Sequence, residues 1–294
     1  MAVVLESLAT LSVLVFVVTS MLAMGLSLTL GQILDPLKDV AVVAKALAAN
    51  FVFVPVLGYA LVAVVPMTEG QGIGLLLLAT AAGAPFLPKL VEVAKGNVAF
   101  DVGVMVLLMV TTVAYVPLVL PLLLPGVQVN PFDIANSLIL LMLLPLALGL
   151  VVNARYADLA ASVQPIMAQT STTALVFLVV LMLVLNVQNL LAVLGTGVLV
   201  ALLAFVAGAF AIGYLLGGDA TDRKSVLGLG TAQRNISAAL VVGAQNFQDP
   251  DVLTVLLVGA LVMLAALMVA SGELGKRTPR ERGQSAQTTE SVDD

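Results

Sequence analysis

The sequence predicts an all-α integral membrane protein of about nine transmembrane helices, two of them broken and crossing at mid-membrane. Three observations carry this reading. Hydrophobic residues make up 61% of the chain and charged residues 10%, with a mean hydropathy of +1.15; soluble domains carry about a quarter charged residues. Apolar runs of about 18 or more residues recur along nearly the whole length, the mark of a helical bundle rather than of a barrel's weak alternation. Finally, Gly230-Thr231-Ala232-Gln233-Arg234-Asn235-Ile236-Ser237 sets an arginine, two amides and two hydroxyls inside an otherwise apolar run. A charge in hydrocarbon costs about 2.5–3.5 kcal/mol on insertion scales. The helix is therefore expected to break there, its polar residues facing a cavity or buried site. A second break is expected at Pro85-Phe86-Leu87-Pro88-Lys89. Two interrupted spans in corresponding halves of a chain are the pattern of secondary transporters.

In order, the spans lie near residues 7–32, 39–65, 70–95 (broken at Pro85 to Pro88), 97–123, 132–154, 158–190, 194–217, 223–246 (broken at Gly230 to Ser237) and 252–273. Gly, Pro, Asn or Asp marks most of the short connections, as in Pro66, Gly96-Asn97, Pro125-Gly126 and Asp249-Pro250-Asp251. The polar tail at 276–294, rich in Ser, Thr, Gln and charge, is expected to be disordered.

The basic residues test the count. Lys38 and Lys45 follow span one, Lys95 follows span three, and Arg155 follows span five. Arg223 and Lys224 follow span seven, while Lys276, Arg277, Arg280 and Arg282 follow span nine. The connections after the even-numbered spans carry no lysine or arginine. The positive-inside rule then puts the C-terminus in the cytoplasm and the N-terminus outside, in a plasma (inner) membrane. Lys89 and Arg234, both at the breaks, remain unassigned to any connection.

The halves also correspond. Residues 1–124 read as a first repeat of spans one to four, 125–157 as connecting span five, and 158–275 as a second repeat of spans six to nine. Equivalent spans are offset by five, an odd number, so the second repeat is inserted upside down. Chemistry is bounded by what is missing. The chain has no cysteine and no histidine, which removes thiol chemistry and the commonest general base. No mid-span aspartate pair is present, so an intramembrane enzyme lacks its usual machinery. A receptor would normally bring a soluble domain. A channel is the rival within transport. Glu6 and the long first apolar run argue against a cleavable signal. Nothing points to nucleic acid or to a bound cofactor.

Arg234 lies about 15 Å of helix from Arg223 and Lys224, which places it near the midplane of a core about 30 Å thick. It is read as binding the anionic group of a substrate, with Gln233, Asn235, Thr231 and Ser237 beside it. The bland alternative for these polar residues is to satisfy backbone groups freed by the break. Lys89 either shares the substrate site or pairs with Glu92 at i+3. Asp101 reads as interfacial, or as a counter-charge for Lys89. Gln169 to Thr173 either lines the cavity or packs helices.

Met24-Gly25-Leu26-Ser27-Leu28-Thr29-Leu30, Lys45-Ala46-Leu47 leading to Pro55, Ala94-Lys95-Gly96-Asn97-Val98-Ala99 and Ala232-Gln233-Arg234-Asn235-Ile236-Ser237-Ala238-Ala239 resemble the bile acid:sodium symporter family over about residues 10–272. The resemblance implies a core and a panel: spans two to four and seven to nine in the core, spans one, five and six in the panel. It implies alternating-access transport of a small organic anion, with sodium as coupling ion. Asn50 matches a family glutamine at a sodium site, and Gln233 and Asn235 match the Gln-Asn of the second broken helix. Two departures stand out. Leu229 or Gly230 occupies the place of the family's glutamate, and Phe86-Leu87-Pro88-Lys89 replaces a Ser-Asn pair. Sodium is therefore expected to stimulate transport weakly or not at all, with a sodium-independent or proton-coupled carrier as the alternative.

Overall fold

The computed structural model of the chain describes residues 2–124, 130–185, 197–218 and 221–277, and every regular element among them is helical. The main elements, apart from the short helical turns Leu30–Leu34 and Asp35–Lys38, are α1 (Ala2–Ser27), α2 (Val40–Val64), α3 (Glu69–Thr80), α4 (Leu87–Val93), α5 (Val98–Leu123) and α6 (Pro131–Arg155). They continue with α7 (Ala157–Leu185), α8 (Val198–Leu216), α9 (Thr221–Ala232), α10 (Ile236–Asn246) and α11 (Pro250–Arg277). Six of them, α1, α2, α5, α6, α8 and α11, are long and apolar enough to cross a membrane. The broken spans fall outside this set because each is divided into two short helices. Lys276 and Arg277 extend α11, whereas the rest of the predicted tail lies outside the described residues.

Local chemistry sets where the helices start. Thr68 and Gln71 close a capping box at the start of α3, and Asp39 accepts from the Val42 N–H at the start of α2. Asn97 and Asn130 accept from the Phe100 and Phe132 N–H groups at the starts of α5 and α6, with Pro131 at the first helical position. Each of these caps sits in a connection marked by turn residues in the sequence.

Two groups of helices result. In one, α1 packs along α7 and α6. Gly25 and Gly149 set the approach of α1 to α6: a methyl group on Gly25 would stand 2.2 Å from the Leu146 carbonyl oxygen. In the other, α9 packs along α8, α11 along α3, and α2 against α3 and α8. The groups meet where α10 and α5 touch the beginning of α6, and where α10 touches α1. Around this junction α1, α6 and α10 bury apolar side chains, Val13, Val17, Met21, Ile134, Leu138, Ala238, Ala239 and Val242 among them.

Connections from distant parts of the chain also meet. Arg223, in the first turn of α9, pairs with Asp39, before α2, at 3.0 Å. Gly275, at the end of α11, lies against the Val93 carbonyl at the end of α4. At other connections, Thr68 donates to Asp251 at 2.8 Å.

Candidate functional site at the crossing of two broken helices

The first interruption runs from Ala81 to Phe86, earlier than the prolines suggested. Pro88 stands in the first turn of α4, where proline costs no hydrogen bond, so it begins a helix rather than ending one. The chain leaves the helical course at Ala81, whose backbone is extended (φ −92°, ψ 103°), and turns at Gly83 with φ +77°. Gly83 presses on α5: a Cβ there would lie 2.2 Å from the Met109 nitrogen. Thr112 of α5 completes the turn. Its hydroxyl accepts from the Ala82 N–H at 2.9 Å and donates to the Ala82 carbonyl at 3.1 Å.

The second interruption is shorter. Gly230 and Thr231 still belong to the last turn of α9, and Ser237 to the first turn of α10. Asn235 joins the two breaks. Its backbone N–H donates to the Ala81 carbonyl at 2.9 Å, and its side-chain amide donates to the Gly83 carbonyl at 2.8 Å. Its Oδ1 caps α10 by accepting from the Ala238 N–H. One residue thus satisfies orphan backbone groups of both broken spans.

Arg234 is fully buried and is the largest fully buried side chain described. Its Nε donates to the Leu78 carbonyl at 2.9 Å, and Nη2 donates to the Ala79 carbonyl at 3.0 Å. Nη1 donates to the Thr231 carbonyl at 3.0 Å and to Asn50 Oδ1. These oxygens come from the ends of α3 and α9, where the last turns leave carbonyls without helical partners and the helix dipoles are negative. Asn50 is placed by a π turn at Ala49–Phe53 within α2. Its amide nitrogen donates to the Ala46 carbonyl at 3.0 Å and to Thr231 Oγ1 at 3.3 Å. The Phe51 carbonyl in the same turn accepts from Tyr115 at 2.7 Å. Asn50, Thr231 and Arg234 therefore form one buried network, and Asn235, next in the chain, ties it to the first break.

The other predicted residues separate from that network. Gln233 is nearly buried, and its Oε1 is buried with no hydrogen-bond partner in the described structure. Ser237 faces α1, its hydroxyl 3.5 Å from that of Ser20. Lys89 lies in the first turn of α4, exposed, and pairs with Glu92 at 2.8 Å. Asp101 is not a partner of Lys89, which pairs with Glu92 instead. It is fully buried in the first turn of α5, and neither carboxylate oxygen has a hydrogen-bond partner among the described residues. The turn at Asp35–Lys38 packs on this end of α5, with Pro36 against Gly103. In the run from Gln169 to Thr173, the Ser171 hydroxyl donates to the Phe16 carbonyl of α1 at 3.2 Å, a packing contact. A cleft of about 220 Å³, lined by Tyr59, Met67, Thr68, Glu69, Leu76 and Leu124 among others, contains none of the predicted site residues.

Sequence reasoning missed Thr112, Tyr115 and Ser20. The first two were visible as polar residues inside the apolar run of span four. It also missed the carbonyls of Leu78 and Ala79, which no side chain announces.

Residues 13–193, more than half of the chain, match the sodium bile acid symporter family. The chain belongs to that family. Its members are transporters rather than enzymes, which removes the intramembrane-enzyme alternative. Among curated proteins, the chain is 26% identical over 195 residues to the probable sodium/metabolite cotransporter BASS3, chloroplastic, of Arabidopsis thaliana, covering 66% of this chain and 45% of that one. It is 25% identical over 244 residues to the probable sodium/metabolite cotransporter BASS5, chloroplastic, of the same plant, covering 78% of this chain and 60% of that one. The chain thus spans about half the length of the curated relatives it matches. The family match stops before α8, so Arg234 and Asn235 lie beyond it.

Proposed function

We propose that the protein is a secondary carrier of a small organic anion that works by alternating access. The observation that carries this is the junction of the two breaks by Asn235, next to the boundary where Ser237 of α10 meets Ser20 of α1. Half-helices that end in one place inside a bilayer expose backbone dipoles where a solute can use them. The family supplies symport as the class of activity, and the names of the relatives supply sodium and a metabolite as their cargo.

In this reading α1, α6 and α7 are the panel, and the remaining helices are the core. The panel rocks against the core and exposes the site to either side of the lipid bilayer in turn. The repeat units are residues 1–124 and 158–275, inverted with respect to one another, with 125–157 between them and 276–294 as a cytoplasmic tail. The meetings of Arg223 with Asp39 and of Thr68 with Asp251 support the alternation of nine crossings, and the placement of lysine and arginine supports an N-terminus outside. Each meeting joins connections that such a chain leaves on one face of a plasma or inner membrane.

The substrate's anionic group sits at the N-terminal end of α10, where the helix dipole is positive. The Gln233 side chain, whose Oε1 has no partner among the described residues, and the Ser237 hydroxyl orient it. Arg234, Asn235, Thr231 and Asn50 act from behind, through charge and through the shape they give the crossing. Lys89 has a lesser role, since Glu92 already neutralises it. Uptake of a panel of labelled organic anions into proteoliposomes, with imposed sodium and proton gradients applied separately, tests the proposal. Saturable uptake of at least one anion is expected. No uptake of any, by protein that is folded and correctly inserted, overturns it.

A further inference from the structure

Sodium is the ion that the family's description implies, and the crossing offers the oxygens such an ion uses. Unwound carbonyls and half-helix C-terminal ends are the usual ligands of a transported sodium ion. Here those oxygens are the Leu78 and Ala79 carbonyls at the end of α3, the Thr231 carbonyl at the end of α9, and Asn50 Oδ1 from the π turn of α2. All four accept from a single guanidinium, with distances of 2.9 to 3.0 Å for the three carbonyls. Neighbouring oxygens are engaged as well: the Ala81 and Gly83 carbonyls accept from Asn235. The residues at this place do not fit an added cation.

We infer that Arg234 is a tethered cation standing in the oxygen shell that a transported sodium ion would otherwise use, so that the carrier binds no sodium at the crossing and runs without it. The inference rests on the carrier reading above only for its last clause. Two helix C-termini converge on one point and place partial negative charge there, and no carboxylate among the described residues pairs with Arg234. A single positive charge balances this arrangement, and Arg234 supplies it covalently. The side chain has no exposed surface, so a sodium ion has no empty place to enter. A second cation beside it would meet the full charge of the guanidinium at low dielectric. The planar fork of arginine suits four oxygens spread over three segments better than a point charge does. The ion that elsewhere arrives and leaves with each cycle is here part of the chain.

The test reads thermal stability in detergent, which does not depend on knowing the substrate, together with uptake. The wild-type protein is expected to have the same melting temperature in sodium chloride as in choline chloride. Uptake of any transported anion is expected to differ less than twofold between the two salts. A sodium-specific rise in melting temperature, or a severalfold stimulation of uptake, overturns the inference. Arg234→Ala is expected to melt several degrees lower and to regain most of that loss in millimolar guanidinium or in sodium chloride, but not in choline chloride. An Arg234→Ala protein as stable as the wild type, indifferent to every cation, overturns it. If Arg234→Ala yields no folded protein, Arg234→Lys and Arg234→Gln decide. The lysine variant keeps a cation in the shell and is expected to fold where the glutamine variant does not; equal behaviour of the two overturns the inference. Absence of uptake with the stability pattern intact rejects the carrier reading while leaving the tethered cation in place.

Discussion

Asn50 Oδ1 and Arg234 Nη1 are bonded across 184 positions of sequence, and through them the π turn of α2 is tied to the second broken span. The pair is buried, so the arginine cannot exchange this acceptor for water. Asn50→Leu is expected to cost about 2–4 kcal/mol, since it leaves a donor of a buried charge unpaired. Asn50→Asp keeps the oxygen and adds opposite charge, and should melt at or above the wild-type temperature. Thermal denaturation of the purified variants measures both.

Gly83 allows a second, purely steric prediction. Gly83→Ala combines a left-handed backbone, which costs an alanine about 1–2 kcal/mol, with a methyl group driven into the Met109 backbone. Folded yield should collapse. Gly272→Ala is the control, because nothing lies within 4 Å of the added methyl and the site is helical. It should leave yield unchanged or raise stability by up to about 1 kcal/mol. Size-exclusion profiles of the detergent-extracted variants separate the two outcomes.

Gln233 contributes little to the fold, because its buried Oε1 has no protein partner. Gln233→Leu should leave melting temperature nearly unchanged yet weaken the apparent affinity for a transported anion about tenfold, the equivalent of roughly 1.4 kcal/mol. Lys89→Gln, run alongside, removes an exposed ion pair worth no more than about 1 kcal/mol. It should change neither stability nor affinity by much. Saturation curves for uptake give the comparison.

Asp101 runs the other way. A carboxylate buried without a partner is a liability, and Asp101→Asn removes the charge at constant shape. The variant should be at least as stable as the wild type. A fall in melting temperature of several degrees would reveal an interaction that the hydrogen-bond geometry lacks.

Topology is open to direct labelling, because the chain contains no cysteine. Single cysteines introduced at residues 2 and 285 are expected to react from opposite sides of the membrane, residue 2 from outside. Labelling of both from one side would reject nine crossings.

How far the sequence spoke depended on the kind of group involved. Composition and the apolar runs announced the helical bundle, and Pro66, Gly96-Asn97 and Asp249-Pro250-Asp251 marked connections between helices. Gly230 to Ser237 marked the second break because the break is built from side chains. The first break was displaced by several residues because Pro88 is conspicuous, whereas the Ala81–Gly83 turn rests on backbone angles. Arg234 was conspicuous too, but its direction was not legible. Its acceptors are mostly main-chain carbonyls, identical in every residue, so nothing in the sequence says that the guanidinium turns towards two helix ends. The burial of Asp101 was hidden for a related reason: Pro36 and its turn cover that end of α5 only after the chain has folded back.

The Ser20–Ser237 contact bears on how the two helix groups part. Inside the larger group, the polar atoms of the crossing are tied by short bonds, and separating them would strand charge in a dry interior. Along the seam with α1 and α6 the facing side chains are mostly hydrocarbon, and the hydroxyl pair that bridges it is 3.5 Å apart, the outer edge of bonding range. Such a pair is a weak latch. Sliding the seam exchanges one set of dispersion contacts for another of similar strength, so neither resting position owns much of the free energy. In the proposed rocking motion, the occupancy of the two states is then decided from outside the protein, by the thickness of the surrounding lipid and by whatever solute fills the gap.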